Sequence, residues 1–151
     1  MLIENSDEPY AKEIATKVFE KMRLGEPMNT TTELRQAVEE ALVRVPKEER
    51  ADAVKKSCAR TFQALRIDVN SEFEVLYSFL EKLDGILNPG GRVAVLTFHS
   101  GEDRLVKKVF KDLQKAGVYS EVSKDVIRPT QEECRVNPRA KSTKMRWAIK
   151  S

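Results

Sequence analysis

Apolar residues recur at helical spacing through the first part of the chain. Positions three and four apart are apolar in four successive segments, which predicts four amphipathic helices. They cover residues 8–22, 30–45, 47–70 and 71–87. Gly25 and Pro27 end the first helix, Pro46 ends the second, and Thr30 with Glu33 is typical of a capping box. The inward residues predicted by this spacing are Ala11, Ile14, Ala15, Val18, Phe19 and Met22 in the first helix, Val54, Cys58, Phe62 and Leu65 in the third, and Phe73, Leu76, Tyr77, Leu80, Leu83 and Leu87 in the fourth.

The second part of the chain changes to strand patterns. After turn residues at 88–91, the run 93–98 is almost continuously apolar, as in a strand buried on both faces. A helix from Leu105 to Leu113 follows, with Gly117 just beyond its end. The remaining predicted elements are strands at 118–122 and 126–128, a loop over 129–142 with a helical turn at 131–135, and a last strand at 144–150. So few strands do not make a complete parallel sheet, so we expect the end of a larger sheet or a sheet completed by another chain.

Composition indicates a soluble protein with one core. The 151 residues are 40% apolar and 34% charged, which suits one domain with a small appendage. No apolar run reaches the roughly 18–20 residues of a membrane span, and the first residues lack the pattern of a secretory signal. Cys58 and Cys134 lack the spacing of a metal site or a disulfide framework, which predicts reduced thiols in a cytosol-like compartment.

Residues that could carry chemistry gather where the strand 93–98 meets the following helix, in the sequence Phe-His-Ser-Gly-Glu-Asp. Ligands of open α/β sheets bind beyond the carboxyl ends of strands, so His99, Ser100 and Asp103 are candidates for the rim of a ligand site. Ser100 with Asp103 three residues later is equally typical of a helix N-cap, and one residue can serve both purposes. His99 is the single histidine of the chain and has no partner in a metal-site pattern, so we expect no metal. The glycine pair before the strand indicates a turn and not a nucleotide-binding loop.

Basic residues are concentrated at the end of the chain. Residues 137–151 carry five cations and no acid, whereas the whole chain has a net charge of +3. Such a segment either binds a polyanion such as nucleic acid or forms ordinary solvated surface. Within this segment, Asn137, Arg139, Lys144 and Arg146 could hold phosphates, whereas Arg66 and Asn70 near the end of the third helix are either functional or ordinary surface groups.

Three long segments in fixed order carry a resemblance to a known family. They are TFQALRIDVNSE, LNPGGRVAVLTFHSGEDRLVKKVF and NPRAKSTKMRWAIK. They are similar to the second half of the MraW/RsmH family of S-adenosylmethionine-dependent methyltransferases, which methylate N4 of a cytidine in the decoding region of small-subunit ribosomal RNA. Residues 8–34 resemble the helical insertion of that family, so the resemblance covers nearly the whole chain. Gly101 stands where the family usually has leucine.

The resemblance implies an α/β fold with a partial Rossmann-like methyltransferase core. Residues 1–70 would be an N-terminal helical subdomain of insertion type, and residues 71–151 would supply the last strands and helices of the core. The resemblance also implies S-adenosylmethionine as cofactor and His99, Ser100 and Asp103 at the active-site rim. The RNA contacts that it implies are Arg66, Asn70, Arg104, Asn137, Arg139, Lys144 and Arg146. The cofactor loop and the catalytic loop of the family are expected upstream of residue 1. The isolated chain is therefore predicted to hold no cofactor-binding residues and to be inactive.

Three functions stay open on the sequence. The first is the C-terminal part of a ribosomal RNA methyltransferase, the second a short non-catalytic RNA-binding or ribosome-assembly protein derived from that family, and the third a structural α-rich domain. Expected partners are small-subunit ribosomal RNA and either a second copy of the chain or a missing N-terminal half, with no membrane. The expected compartment is the cytoplasm, or an organellar matrix in a eukaryote.

Overall fold

The chain folds as two compact units. The computed structural model describes residues 1–26 and 28–151, so Pro27, which is predicted to help end the first helix, lies outside the described residues. Contacts within the chain divide it after Asn70, into Met1–Asn70 and Ser71–Ser151. The assignment of the first unit to an inserted subdomain and of the second to a methyltransferase core stays a prediction.

The first unit consists of helices. They are α1 (Leu2–Ser6), α2 (Ala11–Arg23), α3 (Thr31–Ala41) and α4 (Lys47–Asn70). The capping box at the start of α3 is confirmed, because the Thr30 hydroxyl accepts from the Glu33 amide at 3.2 Å and the Glu33 carboxylate accepts from the Thr30 amide at 2.8 Å. Helix α4 has the predicted limits. Helix α1 is missed by the spacing because its five residues are too few to show a helical repeat.

The core of the first unit corrects the predicted inward face of α2. This core forms around Ile14, Val38, Leu42 and Val54. Helix α2 buries Ala11 and Ile14 and half buries Val18, but it leaves Ala15, Phe19 and Met22 exposed. Only one edge of the apolar face of α2 contacts the core. The face is wider than the area that the neighbouring helices cover, so its other residues stay exposed.

Helix α4 also buries a different face from the predicted one. Its buried residues are Val54, Ser57, Thr61, Ala64 and Ile67, whereas Cys58, Phe62 and Leu65 are half buried. Apolar spacing misses this face because two of its members carry hydroxyl groups. The Ser57 hydroxyl donates to the carboxylate of buried Glu8 at 2.8 Å, which offsets part of the cost of burying both polar groups.

The second unit combines helices with strands. Its elements are α5 (Glu72–Lys82), a 3-10 turn (Leu83–Gly85), β1 (Arg92–Thr97), α6 (Ser100–Lys115), β2 (Tyr119–Val122), α7 (Gln131–Val136), a second 3-10 turn (Pro138–Ser142) and β3 (Lys144–Lys150). Helix α5 is shorter than the predicted 71–87 because its last turn tightens into the 3-10 turn. Gly117 follows α6 with φ at +78°, so its predicted position after the helix end is confirmed.

The strands of the second unit form one antiparallel sheet, and its first strand departs from the predicted burial on both faces. Strand β3 lies between β1 and β2 and pairs antiparallel with both. Burial along β1 alternates, with Val93 and Val95 packed against the core and Leu96 57% exposed, so the strand is not buried on both faces. The predicted strand at 126–128 is reduced to one bridge between Ile127 and Met145. The spacing of apolar residues indicates where strands lie in the sequence. It does not indicate which strands become neighbours in the sheet.

One face of the sheet packs on α5 and α6 to form the core of the second unit. The buried core residues are Leu80, Leu83, Val106, Val109, Phe110, Tyr119 and Ala148. The rings of Phe110 and Tyr119 meet edge to face with centroids 5.6 Å apart, which favours this packing. Across the described ranges 1–26 and 28–151, none of the helices combines the length and apolarity needed to span a membrane.

Candidate functional site

Helix α6 begins with a capping box formed by His99 and Glu102. Residue 99 has extended backbone angles (φ −137°, ψ 168°), and its imidazole Nδ1 accepts a hydrogen bond from the Glu102 amide at 3.4 Å. In return, Glu102 Oε2 accepts from the amides of Phe98 at 2.8 Å and His99 at 3.4 Å. The prediction that Ser100 caps this helix is wrong by one residue, because Ser100 is already helical and His99 has the extended backbone that an N-cap needs.

The carboxyl group of Glu102 is held in its ionised form. Burial alone would raise its pKa, but the contact with the His99 imidazole and the hydrogen bonds from the two backbone amides outweigh burial and bring the pKa to about 2. His99 Nε2 lies 3.2 Å from Glu102 Oε1, off the direction of a good ring N–H hydrogen bond. Because Nδ1 accepts the helix amide, the proton of a neutral imidazole is on Nε2, beside the carboxylate.

Gly101 makes room for an aromatic ring against this capping box. A Cβ atom at residue 101 would lie 2.7 Å from Cζ of Phe73 and 3.2 Å from Nδ1 of His99. The Phe73 and His99 rings are tilted against each other with centroids 6.0 Å apart. The absence of a side chain at Gly101 therefore lets Phe73, from α5, approach the first turn of α6.

Asp103 is joined to the sheet and does not project freely from the rim. Its carboxylate accepts two hydrogen bonds from Arg146 of β3, with Nε to Oδ1 at 2.7 Å and Nη2 to Oδ2 at 3.1 Å. The side chains of Arg146 and Asp103 are only 7% and 14% exposed. This paired geometry satisfies both charges and fixes the first turn of α6 to β3.

Three side chains of the second unit have the chemistry of a metal site. Ligand atoms of Glu72, His99 and Glu102 all lie within 4.8 Å of one another, and all three side chains are half buried. Within the described residues this group is the natural candidate for holding a cation. However, the capping box already engages both His99 and Glu102, so the internal hydrogen bonds account for the arrangement without an ion.

All 151 residues match one protein family, the MraW methylase family. The chain belongs to this family. The resemblance of the three sequence segments to it is therefore confirmed.

Curated relatives of this MraW methylase chain are named as ribosomal RNA methyltransferases. The chain is 65% identical over 151 residues to ribosomal RNA small subunit methyltransferase H 1 of Lachnoclostridium phytofermentans. This alignment covers 100% of the chain and 41% of the relative. The chain is 60% identical over 151 residues to the protein of the same name from Agathobacter rectalis, covering 100% of the chain and 43% of the relative. The match falls in the C-terminal part of these relatives. The chain thus spans about two fifths of the length of the curated relatives it matches.

The MraW methylase family implies the use of S-adenosylmethionine. None of the six glycines forms a Gly-x-Gly pair, and no glycine-rich turn joins a strand to a helix as a nucleotide-binding loop does. At the start of α6, the amides of Phe98 and His99 are already taken by Glu102. That the cofactor-binding loop belongs to another part of a longer protein stays a prediction.

The other predicted site residues are spread over both units. Arg66 and Asn70 are exposed near the end of α4, in the first unit. Asn137 lies just before the second 3-10 turn, and its Oδ1 accepts a hydrogen bond from the Arg139 amide at 3.2 Å. The Arg139 side chain is exposed. The remaining members are placed as follows: Arg104 is exposed on α6, Lys144 is half buried at the start of β3, and Arg146 is buried against Asp103.

Sequence reasoning did not place three residues at the capping box. They are Glu72, Phe73 and Glu102. One signal was available, because Glu102 lies three residues after His99 and so has the spacing of a capping box. Nothing in the local sequence brings Glu72 or Phe73 to this helix end.

Proposed function

We propose that this chain is the C-terminal part of an S-adenosylmethionine-dependent methyltransferase that acts on N4 of a cytidine in small-subunit ribosomal RNA. The observation that carries the proposal is the match of the whole chain to the MraW methylase family. The relatives named as ribosomal RNA small subunit methyltransferases support the choice of substrate. A helix that begins directly after the carboxyl end of β1 agrees with a partial Rossmann-like core, in which ligands bind at strand ends.

In this proposal His99 and Ser100 form the substrate rim, and Asp103 supports the rim indirectly through its contact with Arg146. His99 and Ser100 follow the end of β1, where a base that enters the crevice would meet them. The Glu102 carboxylate holds the backbone of Phe98 and His99, and Asp103 holds α6 to β3. Glu102 and Asp103 are positioning residues, because each is engaged by another group of the chain.

The predicted RNA-binding residues contribute in two ways. Exposed Arg104 and Arg139, together with Lys144, supply positive charge for phosphates, and Asn137 fixes the turn that carries Arg139. Arg146 acts indirectly, by holding β3 against α6 through Asp103. Arg66 and Asn70 present a cation and an amide at the end of α4.

The isolated chain is inactive in this proposal because methyl transfer needs the cofactor and the amine held in one geometry. The test replaces the C-terminal part of the Lachnoclostridium phytofermentans relative with this 151-residue chain. The chimera and the isolated chain are each incubated with labelled S-adenosylmethionine and small-subunit ribosomal RNA. We expect label in N4-methylcytidine with the chimera only. Label with the isolated chain would overturn the inactivity, and a folded but inert chimera, beside an active parent, would overturn the proposed function.

The same experiment addresses a non-catalytic RNA-binding or ribosome-assembly protein. The basic residues at 137–151 are the observation that favours this second function. A chimera that binds ribosomal RNA like its parent but transfers no methyl group would favour it over the methyltransferase.

A further inference from the structure

Five cations occupy one face of helix α6. Successive residues of an α-helix are about 100° apart around its axis, so positions 104, 107, 108, 111 and 115 fall within an arc of about 100°. The residues at these positions, all exposed, are Arg104, Lys107, Lys108, Lys111 and Lys115. They extend over about 16 Å of the helix. We call this surface the α6 basic face.

The opposite side of α6 packs in the core of the second unit. Val106, Val109 and Phe110 point away from the basic face and belong to the core of the second unit. A helix that lies in a membrane surface needs a free apolar side to insert below the headgroups. Because the apolar side of α6 is buried, α6 is not available to insert into a membrane in this way, which favours a soluble polyanion over a lipid surface.

Three of the four lysines of the α6 basic face lie at a spacing at which they repel one another. Lys107, Lys111 and Lys115 follow at four-residue intervals, a spacing at which like charges destabilise a helix. Within the described part of the chain, none of the four lysines takes part in an ion pair, although Asp112 lies on the same helix. The excess of positive charge on this face favours an anionic partner from outside the chain.

We infer that the α6 basic face binds the phosphate backbone of RNA. The inference rests on the proposed function and deepens it, because it assigns a surface that holds the ribosomal RNA substrate. A row of cations about 16 Å long matches several consecutive phosphates of one strand. Lysine side chains are flexible and act as point charges. This face therefore supplies affinity for RNA and positions its backbone, and recognition of the base depends on the substrate rim. The face begins one turn after the His99–Glu102 capping box and so adjoins the proposed substrate rim.

The test compares two pairs of lysines in the 151-residue chain. The variant is Lys107→Gln with Lys111→Gln, and the matched control is Lys47→Gln with Lys55→Gln, two exposed lysines of α4. Binding to a transcript of the small-subunit decoding region is measured by fluorescence anisotropy over a series of salt concentrations. We expect the variant to lower the slope of log affinity against log salt by about 1.4 to 1.8, and the control to leave it near the wild-type value.

Each alternative outcome overturns the inference. An unchanged slope in the variant would exclude the α6 basic face, and equal losses in variant and control would indicate net charge alone. Stronger binding to vesicles of phosphatidylserine and phosphatidylcholine in equal parts, lost in the variant, would identify a membrane partner. Failure of this inference can be told apart from failure of the proposed function. The RNA-binding measurement does not depend on methylation, and the activity of the chimera is measured without the lysine substitutions. Circular dichroism checks that both lysine variants stay helical.

Discussion

Arg146 and Asp103 lie 43 residues apart and are joined by two hydrogen bonds in a nearly buried ion pair. The pair ties the centre of the small sheet to the first turn of α6, which is also the turn that carries His99 and Glu102. Stability of the strand and geometry of the candidate rim therefore depend on the same contact. This link makes the pair the most direct place to perturb both.

Removing Asp103 is expected to destabilise the second unit strongly. The Asp103→Ala variant leaves the Arg146 charge buried and unpaired, which costs about 3–5 kcal/mol of unfolding free energy. Replacing both residues, as Asp103→Ala with Arg146→Met, should recover a large part of this loss. Urea unfolding followed by the fluorescence of Trp147, the single tryptophan and a neighbour of Arg146 in β3, reports the effect.

The exposed pair between Arg135 and Glu132 provides the matched control. Its N–O distance is 2.8 Å, but its side chains are 77% and 68% exposed. Arg135→Met should change the unfolding free energy by no more than about 1 kcal/mol. If Asp103→Ala proved as mild as Arg135→Met, or if the double variant were no more stable than Asp103→Ala, the pair would not have the role assigned to it.

Cap substitutions distinguish His99 from Ser100 at the start of α6. His99→Ala removes the acceptor of the Glu102 amide and should cost about 0.5–2 kcal/mol of unfolding free energy. Ser100→Ala should cost less than about 0.5 kcal/mol, because Ser100 is exposed and already helical. The two variants are compared by urea unfolding at one pH near neutrality. If Ser100→Ala lowered the unfolding free energy more than His99→Ala, the N-cap would have to be reassigned to Ser100.

Local patterns predicted elements well and contacts poorly. The limits of α4 and β3 follow from the sequence because each is a long stretch with one repeat and clear ends. The apolar run at 93–98 predicted a strand, but its neighbour β3 comes about 50 residues later, at a separation that no local pattern encodes. The prediction of a strand buried on both faces was wrong for that reason.

The candidate site shows the same division between local and distant information. The strand-to-helix junction was found from sequence, because it depends on adjacent residues. Its cap was assigned to a hydroxyl, the commoner acceptor, since side-chain type alone does not reveal which residue keeps an extended backbone. Arg146 was expected to face RNA, but it lies against Asp103 because the register of β3 turns it toward α6.

The ionised state of Glu102 predicts a dependence of stability on acid pH. Its pKa is lowered from 4.5 to about 2, so the folded state binds this proton less readily than the unfolded state. The ionised carboxylate therefore stabilises the fold above about pH 4.5, and this contribution is lost as the pH falls toward 2. The difference in unfolding free energy between wild type and Glu102→Gln should be at most about 3 kcal/mol above about pH 5 and should shrink below it.

Urea midpoints at a series of pH values, again read from Trp147, measure this difference. Glu132→Gln is the control, because Glu132 is exposed on α7 and its replacement should change little at any pH. A Glu102→Gln difference that grew with acid, or that stayed constant from about pH 6 to the limit of folding, would contradict the assignment.

Gly101 and Phe73 are expected to be energetically coupled. In a helix, alanine is more favourable than glycine by up to about 1 kcal/mol, so Gly101→Ala should stabilise the chain if nothing opposed the new methyl group. Here the Cβ would lie 2.7 Å from Phe73 Cζ and 3.2 Å from His99 Nδ1, so the ring or the cap must shift. Gly101→Ala is therefore expected to be neutral or destabilising by about 1–2 kcal/mol in the wild type.

The coupling is measured by a double-mutant cycle with Phe73→Leu, which shortens the side chain that meets the new Cβ. In the Phe73→Leu background, Gly101→Ala should become stabilising, and the two backgrounds should differ by at least about 1 kcal/mol. Gly101→Leu, which introduces the residue expected at this position from the family resemblance, should follow the same order and be tolerated better in the Phe73→Leu background than in the wild type. Equal effects of Gly101→Ala in both backgrounds would mean that Phe73 does not occupy the space above Gly101, and the close packing of α5 on the capping box would have to be abandoned.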